Sequence, residues 1–235
     1  MRAVALILLA ATGVALGLPN ASMAAQAKKR AVQRDWSRAV LATPEGGFRM
    51  GNPAAKIRLV EYGSLTCHHC RDFAESGYRP LVAKYVRTGK VSYEFRNMIL
   101  NGFDAGATLV ARCGGARAFF RVADEVYATQ PQWLGAVSAL TATQKAELQA
   151  LAESDRLFRM AQMTGVVKIA AKHGILPAQS KRCVADAKAL EALGKMAERA
   201  HELGVHATPT FFINGAKVQA NTWPALEPLL AGKGG

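Results

Sequence analysis

The sequence predicts an α/β fold whose β part is divided in two by a long all-helical insertion. Three observations carry this. Strand-like runs at Ile57 to Tyr62 and Val91 to Arg96 bracket a helix. From about Asp104 to Leu203 no convincing strand is found. Strand patterning returns only at Thr210 to Ile213, followed by Asn214-Gly215, the pair that favours a tight type I′ hairpin.

Met1 to about Ala27 reads as a secretory signal peptide. A single positive charge, Arg2, precedes an apolar run from Ala3 to Leu18 and a helix-breaking Pro19. Ser22-Met23-Ala24 and Ala25-Gln26-Ala27 both fit small-x-small cleavage sites. The apolar run is interrupted by Thr12 and Gly13 and is short for a membrane span; an uncleaved N-terminal anchor is the alternative. A secreted chain meets an oxidising compartment, where disulfides persist. The formal net charge of +13 is basic, yet acidic and basic residues interleave along the helices and no nucleic-acid motif appears. A solvated basic surface accounts for this; loose attraction to anionic lipid is the other reading.

Lys28 to Pro44 is a short lead-in, read as one helix. Gly46-Gly47 and Gly51-Asn52-Pro53 are turn signals around a short strand, Phe48 to Met50. The central strand Ile57 to Tyr62 follows. A helix then starts at Cys67, runs into Tyr78 and stops near Pro80, with a second piece from Leu81 to Arg87. These elements place the first β part at 28–103, the insertion at 104–203 and the second β part at 204–235. Within the insertion, Ala105 to Tyr127 reads as one Ala-rich helix, and Pro131 and Trp133 mark a break. Gln144 to Leu151, Asp155 to Lys172 and Pro177 to Leu203 are further helical stretches. His173-Gly174 is a helix stop, and Leu190, Leu193, Met196, Ala197, Ala200 and Leu203 share one helical face. Lys217 to Ala220 would pair with Thr210 to Ile213, and Pro224 to Leu230 would close the chain as a helix.

The chemistry concentrates at Cys67-His68-His69-Cys70. Cys67 falls at the first turn of a helix, where free backbone N–H groups and the positive dipole end favour a thiolate. Cysteines so placed have pKa values lowered from about 8.5 to roughly 3.5–7.5. Cys70, one turn on, faces the same side and can close a disulfide with it. Half of a structural zinc site is the bland alternative, but it needs a second close pair, and Cys113 and Cys183 are far apart. A haem site needs His after the second Cys, where Arg71 stands. Cys113 and Cys183, both on predicted insertion helices, form the leftover pair expected of a structural disulfide; two unrelated buried thiols are the alternative. Glu61 would point beneath Cys67 if its side of the strand is buried; an exposed strand glutamate is the other possibility.

Glu-Tyr-Gly-Ser-Leu-Thr-Cys-His-His-Cys at 61–70, with His-Ala-Thr-Pro-Thr-Phe-Phe-Ile-Asn-Gly at 206–215, resembles the DsbA-like thiol oxidoreductases of the bacterial periplasm. The resemblance covers the chain from about Gly46 onwards. It implies a thioredoxin fold interrupted by a helical domain. His69 matches the histidine before the second cysteine of the family motif Cys-Pro-His-Cys, while His68 stands where the family usually has Pro. A partly protonated imidazole beside Cys67 would add to thiolate stabilisation, and His69, at the family position, is expected to matter more than His68. The resemblance makes Glu61 a buried acid tuning proton transfer at Cys70. It makes Pro209 cis, packed against Cys67, with the Thr208 backbone free to pair with an extended substrate chain.

The function so implied is a periplasmic oxidase that introduces disulfides into secreted proteins, with no cofactor beyond the Cys67–Cys70 disulfide and a DsbB-type, quinone-linked membrane protein as reoxidase. A reductase or isomerase of the same fold is the first rival. Periplasmic isomerases usually carry an N-terminal dimerisation domain, and about 20 residues between cleavage site and first strand are too few for one. The other rival is a metal-binding protein using Cys67, His68, His69 and Cys70. Successive helix residues point about 100° apart, which works against all four meeting one ion.

Overall fold

Among the residues described by the computed structural model, 34–232, six strands form one mixed sheet in the order β1-β2-β4-β3-β5-β6. They are β1 (Val40–Ala42), β2 (Phe48–Gly51), β3 (Ile57–Gly63), β4 (Val91–Asn97), β5 (Thr210–Ile213) and β6 (Ala216–Val218). Only β3 and β4 run parallel, with Leu59 opposite Tyr93 and Glu61 opposite Phe95. The signal-peptide reading of 1–27 lies outside the described residues. No helix among the described residues is long and apolar enough to cross a membrane.

The lead-in corrects the expectation of a helix over Lys28 to Pro44. Within the described residues it is one turn at Trp36–Arg38, then the edge strand β1. Val40, Leu41 and Ala42 pair with Met50, Arg49 and Phe48 across a tight turn closed by Thr43 N–H donating to Gly47 O at 2.9 Å. A hairpin partner nearby outweighs the local helical preference of so short a segment.

The helix after Cys67 does not stop at Pro80. It runs as α1 (His68–Phe73), a wide turn Ala74–Tyr78, α2 (Arg79–Leu81) and a second wide turn Val82–Val86. The wide turns shift the hydrogen-bond register around the proline, which lacks an N–H, so the axis continues. Gly77 sits where a Cβ would come within 2.9 Å of Phe73 and Trp223, so the helix can press this close only with glycine there.

The insertion is helical throughout: α3 (Gly102–Arg112), α4 (Gly115–Ala128), α5 (Gln130–Ser138), α6 (Ala142–Ala150), α7 (Glu153–Met163), α8 (Val166–Lys172), α9 (Pro177–Val184) and α10 (Ala187–Glu202). Three stretches expected to be single helices are divided. Gly115 and Gly165 take left-handed φ of 68° and 72°, and Asp186 caps the start of α10 through Lys188 N–H and Ala189 N–H. Pro131 opens α5 rather than ending a helix, which suits a residue without an N–H in the first turn. A closing helix, α11 (Trp223–Ala231), returns to the sheet domain.

Strand alternation decides what each face buries. Ile57, Leu59, Phe211 and Ile213 enter the main core, which α4 and the Cys67 helix cover. Tyr62 and Phe212 point the other way, into a smaller cluster with Met98, Ala200 and Val205. Glu61 shares the parity of Ile57 and Leu59, so it is turned into the main core, 2 % exposed. The structure is a thioredoxin fold carrying a helical insertion between β4 and β5.

Candidate active site

Cys67 is the N-cap of α1, with extended backbone (φ −82°, ψ 123°). Its sulfur makes no hydrogen bond of ordinary length to the helix's free N–H groups, so these act on it across a longer gap. The thiol donates to Thr208 O at 3.2 Å. The Thr208–Pro209 peptide is cis. Thr208 thus comes from the far end of the chain to lie against the sulfur, and among the described residues its N–H has no hydrogen-bond partner.

The two cysteines are free and differ sharply. The Cys67 thiol is pulled down to about 5, chiefly by a hydrogen bond from Cys70, against the cost of burial. The Thr208 side chain and the backbone N–H groups of Cys70 and His69 add to this. Cys70 is fully buried, and desolvation pushes its thiol well above the usual range, with the Cys67 hydrogen bond and the Glu61 charge in the same direction. Glu61 is raised to about 8 by burial, opposed by the Tyr93 hydroxyl, which donates to Glu61 Oε2 at 2.6 Å, and reinforced by the Cys67 charge. Beneath the helix lies a cavity of about 20 Å³ lined by Glu61, Tyr93, Tyr78 and Asp124 among others, large enough for one water molecule.

His68 and His69 are both exposed, their rings 3.9 Å apart. His69 Nδ1 lies 3.8 Å from Asp72 Oδ2, and neither imidazole is hydrogen bonded to Cys67. The expected contact between His69 and the sulfur is therefore absent from the geometry. The helix turns residues 68 and 69 to solvent, while Cys70 points into the core and Cys67 lies against Thr208. Cys113 and Cys183 are bonded to each other, Cα–Cα 5.8 Å, joining the end of α3 to α9 away from this site.

A family model described as thioredoxin matches residues 43–231. The chain belongs to the thioredoxin family. Within that family its structure is similar to a protein-disulfide isomerase from Novosphingobium aromaticivorans, 27% identical, with a TM-score of 0.73 over 79% of this chain and 96% of that one. It is also similar in fold to Wolbachia pipientis alpha-DsbA1, 22% identical, TM-score 0.65, over 83% of this chain and 93% of that one. Curated relatives from Rickettsia bellii and Rickettsia typhi, provisionally named protein-disulfide oxidoreductases, are 27% and 26% identical over 74% and 72% of this chain. This thioredoxin-family chain spans 60% and 55% of their lengths.

Several site residues escape a reading of the sequence. Asp104 accepts from Ser64 Oγ at 2.6 Å, Leu65 N–H at 3.1 Å and Leu100 N–H at 3.0 Å; burial raises it to about 6 against those bonds. The Tyr127 hydroxyl donates to Ser64 O at 3.0 Å. Gln130 Nε2 donates to Leu65 O at 2.9 Å and Cys67 O at 3.1 Å. Tyr93 has a signal that could have found it: it alternates with Val91 and Phe95, so it faces the core and its hydroxyl needs a partner there. Gln130 has none, since nothing local marks a buried glutamine on an insertion helix.

Proposed function

We propose that the protein is a thiol:disulfide oxidoreductase that oxidises pairs of cysteines in secreted proteins. The observation that carries the reading is the contrast at one helix turn: a depressed Cys67, 8 % exposed, beside the Thr208 backbone, and a fully buried Cys70 with a high pKa. In the oxidised form Cys67 and Cys70 share a disulfide. A substrate thiolate attacks Cys67 Sγ; the new S–S bond forms as the Cys67–Cys70 bond breaks, and Cys70 leaves as a thiolate that takes up a proton, with Glu61, a buried acid whose charge acts on Cys70, able to supply it. A second substrate thiolate then attacks the substrate sulfur of the mixed disulfide and releases Cys67 as its thiolate. The substrate loses two electrons and the cysteine pair gains them. Because the leaving thiolate on Cys67 is stable, equilibrium favours the reduced enzyme, by about 30 mV for each unit of pKa depression below ambient pH. The free Thr208 N–H pairs with the extended substrate chain.

The secretory-signal pattern read in the sequence at 1–27 supports a periplasmic location, and reoxidation would fall to a DsbB-type, quinone-linked membrane protein as the family resemblance implies. Equilibration of the Cys67/Cys70 pair against glutathione, followed by oxidation of a reduced two-cysteine peptide, tests the reading. A potential well above that of glutathione and stoichiometric peptide oxidation are expected; a strongly reducing potential would reject the oxidase direction. Isomerisation is the second reading, favoured by the likeness to the Novosphingobium isomerase. Faster recovery of a scrambled substrate than of a reduced one would establish it instead.

A further inference from the structure

We infer that Gln130 is a positioning residue for Cys67, acting from the helical insertion through the backbone carbonyl of the nucleophile. The inference rests on the reading of Cys67 as the sulfur that exchanges with substrate.

The segment Ser64 to Cys67 joins β3 to α1, and the insertion holds much of it. Asp104 on α3 takes the Leu65 N–H and the Ser64 hydroxyl, and Tyr127 on α4 takes Ser64 O. Gln130, at the start of α5, takes Leu65 O and Cys67 O. It is the member of this set that reaches the nucleophile's own peptide group.

The side chain is fully buried, and both hydrogens of its amide are used on the two carbonyls. That leaves Oε1 with no partner. Flipping the amide would set Oε1 against two carbonyl oxygens and gain nothing, so the orientation is fixed by the acceptors it faces. A buried acceptor without a partner costs stability, and a methionine of similar size would avoid that cost. The glutamine is therefore poorly explained by packing alone and well explained by its two donations.

Those donations bear on reactivity through one torsion. The ψ of Cys67, 123°, lies outside the helical range although the next residue is helical. It sets both the direction of the Cys67 carbonyl and the position of the side chain over the N-terminus of α1. The carbonyl has one other partner, the Arg71 N–H at 3.2 Å, which is the helix's own first bond. Without Gln130 the peptide is free to roll toward helical ψ, carrying the sulfur off the helix end and away from Thr208. Donation to this carbonyl also polarises the same peptide's N–H, strengthening the dipole the sulfur feels.

Iodoacetamide alkylation of the reduced full-length protein, followed against pH with the label placed on Cys67 by mass spectrometry, reads the effect. Gln130→Met should raise the Cys67 pKa by roughly half to one unit, a three- to tenfold loss of thiolate in the titration range. Gln130→Glu keeps the volume but turns a carboxyl toward two carbonyls, and should shift the pKa at least as far in the same direction. Tyr127→Phe removes a neighbouring grip on the same segment without touching the Cys67 peptide, and should leave the pKa in place. A folded Gln130→Met protein with the wild-type pKa would overturn the inference, as would an equal shift in Tyr127→Phe. If Gln130→Met does not melt cooperatively, Gln130→Glu gives the reading; failure of both to fold would make the residue structural and overturn the inference too. The profile is measured on the protein alone, so a protein that oxidised no substrate would sink the proposed function and leave this result standing.

Discussion

The outer and inner sides of the first turn of α1 hold the same residue type in opposite states. On the outer side, Cys67 caps the helix, touches Thr208 O and is drawn down to about 5. On the inner side, Cys70 is sealed above Glu61 and Tyr93, and burial raises both acids. Helix position alone does not separate them, since both lie in the first turn. Depth separates them: one side meets donors and the Thr208 loop, the other is closed off in the core. The pair is thus divided into a sulfur whose thiolate is stabilised and one that holds its proton.

The strongest way to break this comparison is to remove each sulfur in turn. Cys70→Ser should trap mixed disulfides on Cys67, because the internal resolving thiol is gone, and Cys67→Ser should abolish exchange. Equal trapping by the Cys67→Ser protein, seen on non-reducing gels, would reverse the assignment. The remote bonded pair provides the control. Replacing Cys113 and Cys183 with Ala should cost about 4 kcal/mol of stability in the chain-entropy model while leaving the Cys67 pKa alone. Urea unfolding and the alkylation profile together check this.

Glu61→Gln sharpens the inner half. Glu61 has a folded pKa raised from 4.5 to about 8, so above pH 4.5 the unfolded chain gives up its proton while the folded protein still holds it. Stability therefore falls as pH rises from about 4.5 to about 8. The amide cannot titrate and should stabilise the protein by roughly 3 kcal/mol at pH 7, with a flatter pH dependence in urea unfolding. It should also slow the step in which Cys70 changes protonation. The smallest effect is expected outside the turn. His69 faces Asp72 and solvent, so His69→Ala should move the Cys67 pKa by less than about half a unit. A larger shift would mean that the imidazole swings onto the sulfur in solution.

Much of this architecture is legible in the residues because its signals are local. The hairpin at Asn214-Gly215, with φ of 53° and 86°, is written in two residues. The start of α1 at the Cys-x-x-Cys pair and the strandless stretch after β4 follow from pattern alone. The parity of β3 turns Glu61 inward, although parity does not say which face is the core. What the sequence conceals depends on distant partners. β1 is a strand because Phe48 to Met50 lies across a turn from it. The helix passes Pro80 because two wide turns absorb the missing N–H. Asp104, Tyr127 and Gln130 meet the active-site segment only after the insertion folds back on it, and no spacing between them announces that.

The strand order has a consequence for how the chain is made. β3 lies between β4, which follows it closely, and β5, which is separated from it by the whole insertion. Leu59 must wait for Ile213, and Tyr62 for Thr210. Until the C-terminal segment arrives, one edge of the central strand stands with open N–H and C=O groups, a template for any other extended chain. Closing so distant a contact is slow compared with forming the hairpin and helices before it. Any partly folded chain that lacks β5 therefore leaves the edge of β3 unpaired, with Cys67 and Cys70 already in place beside it.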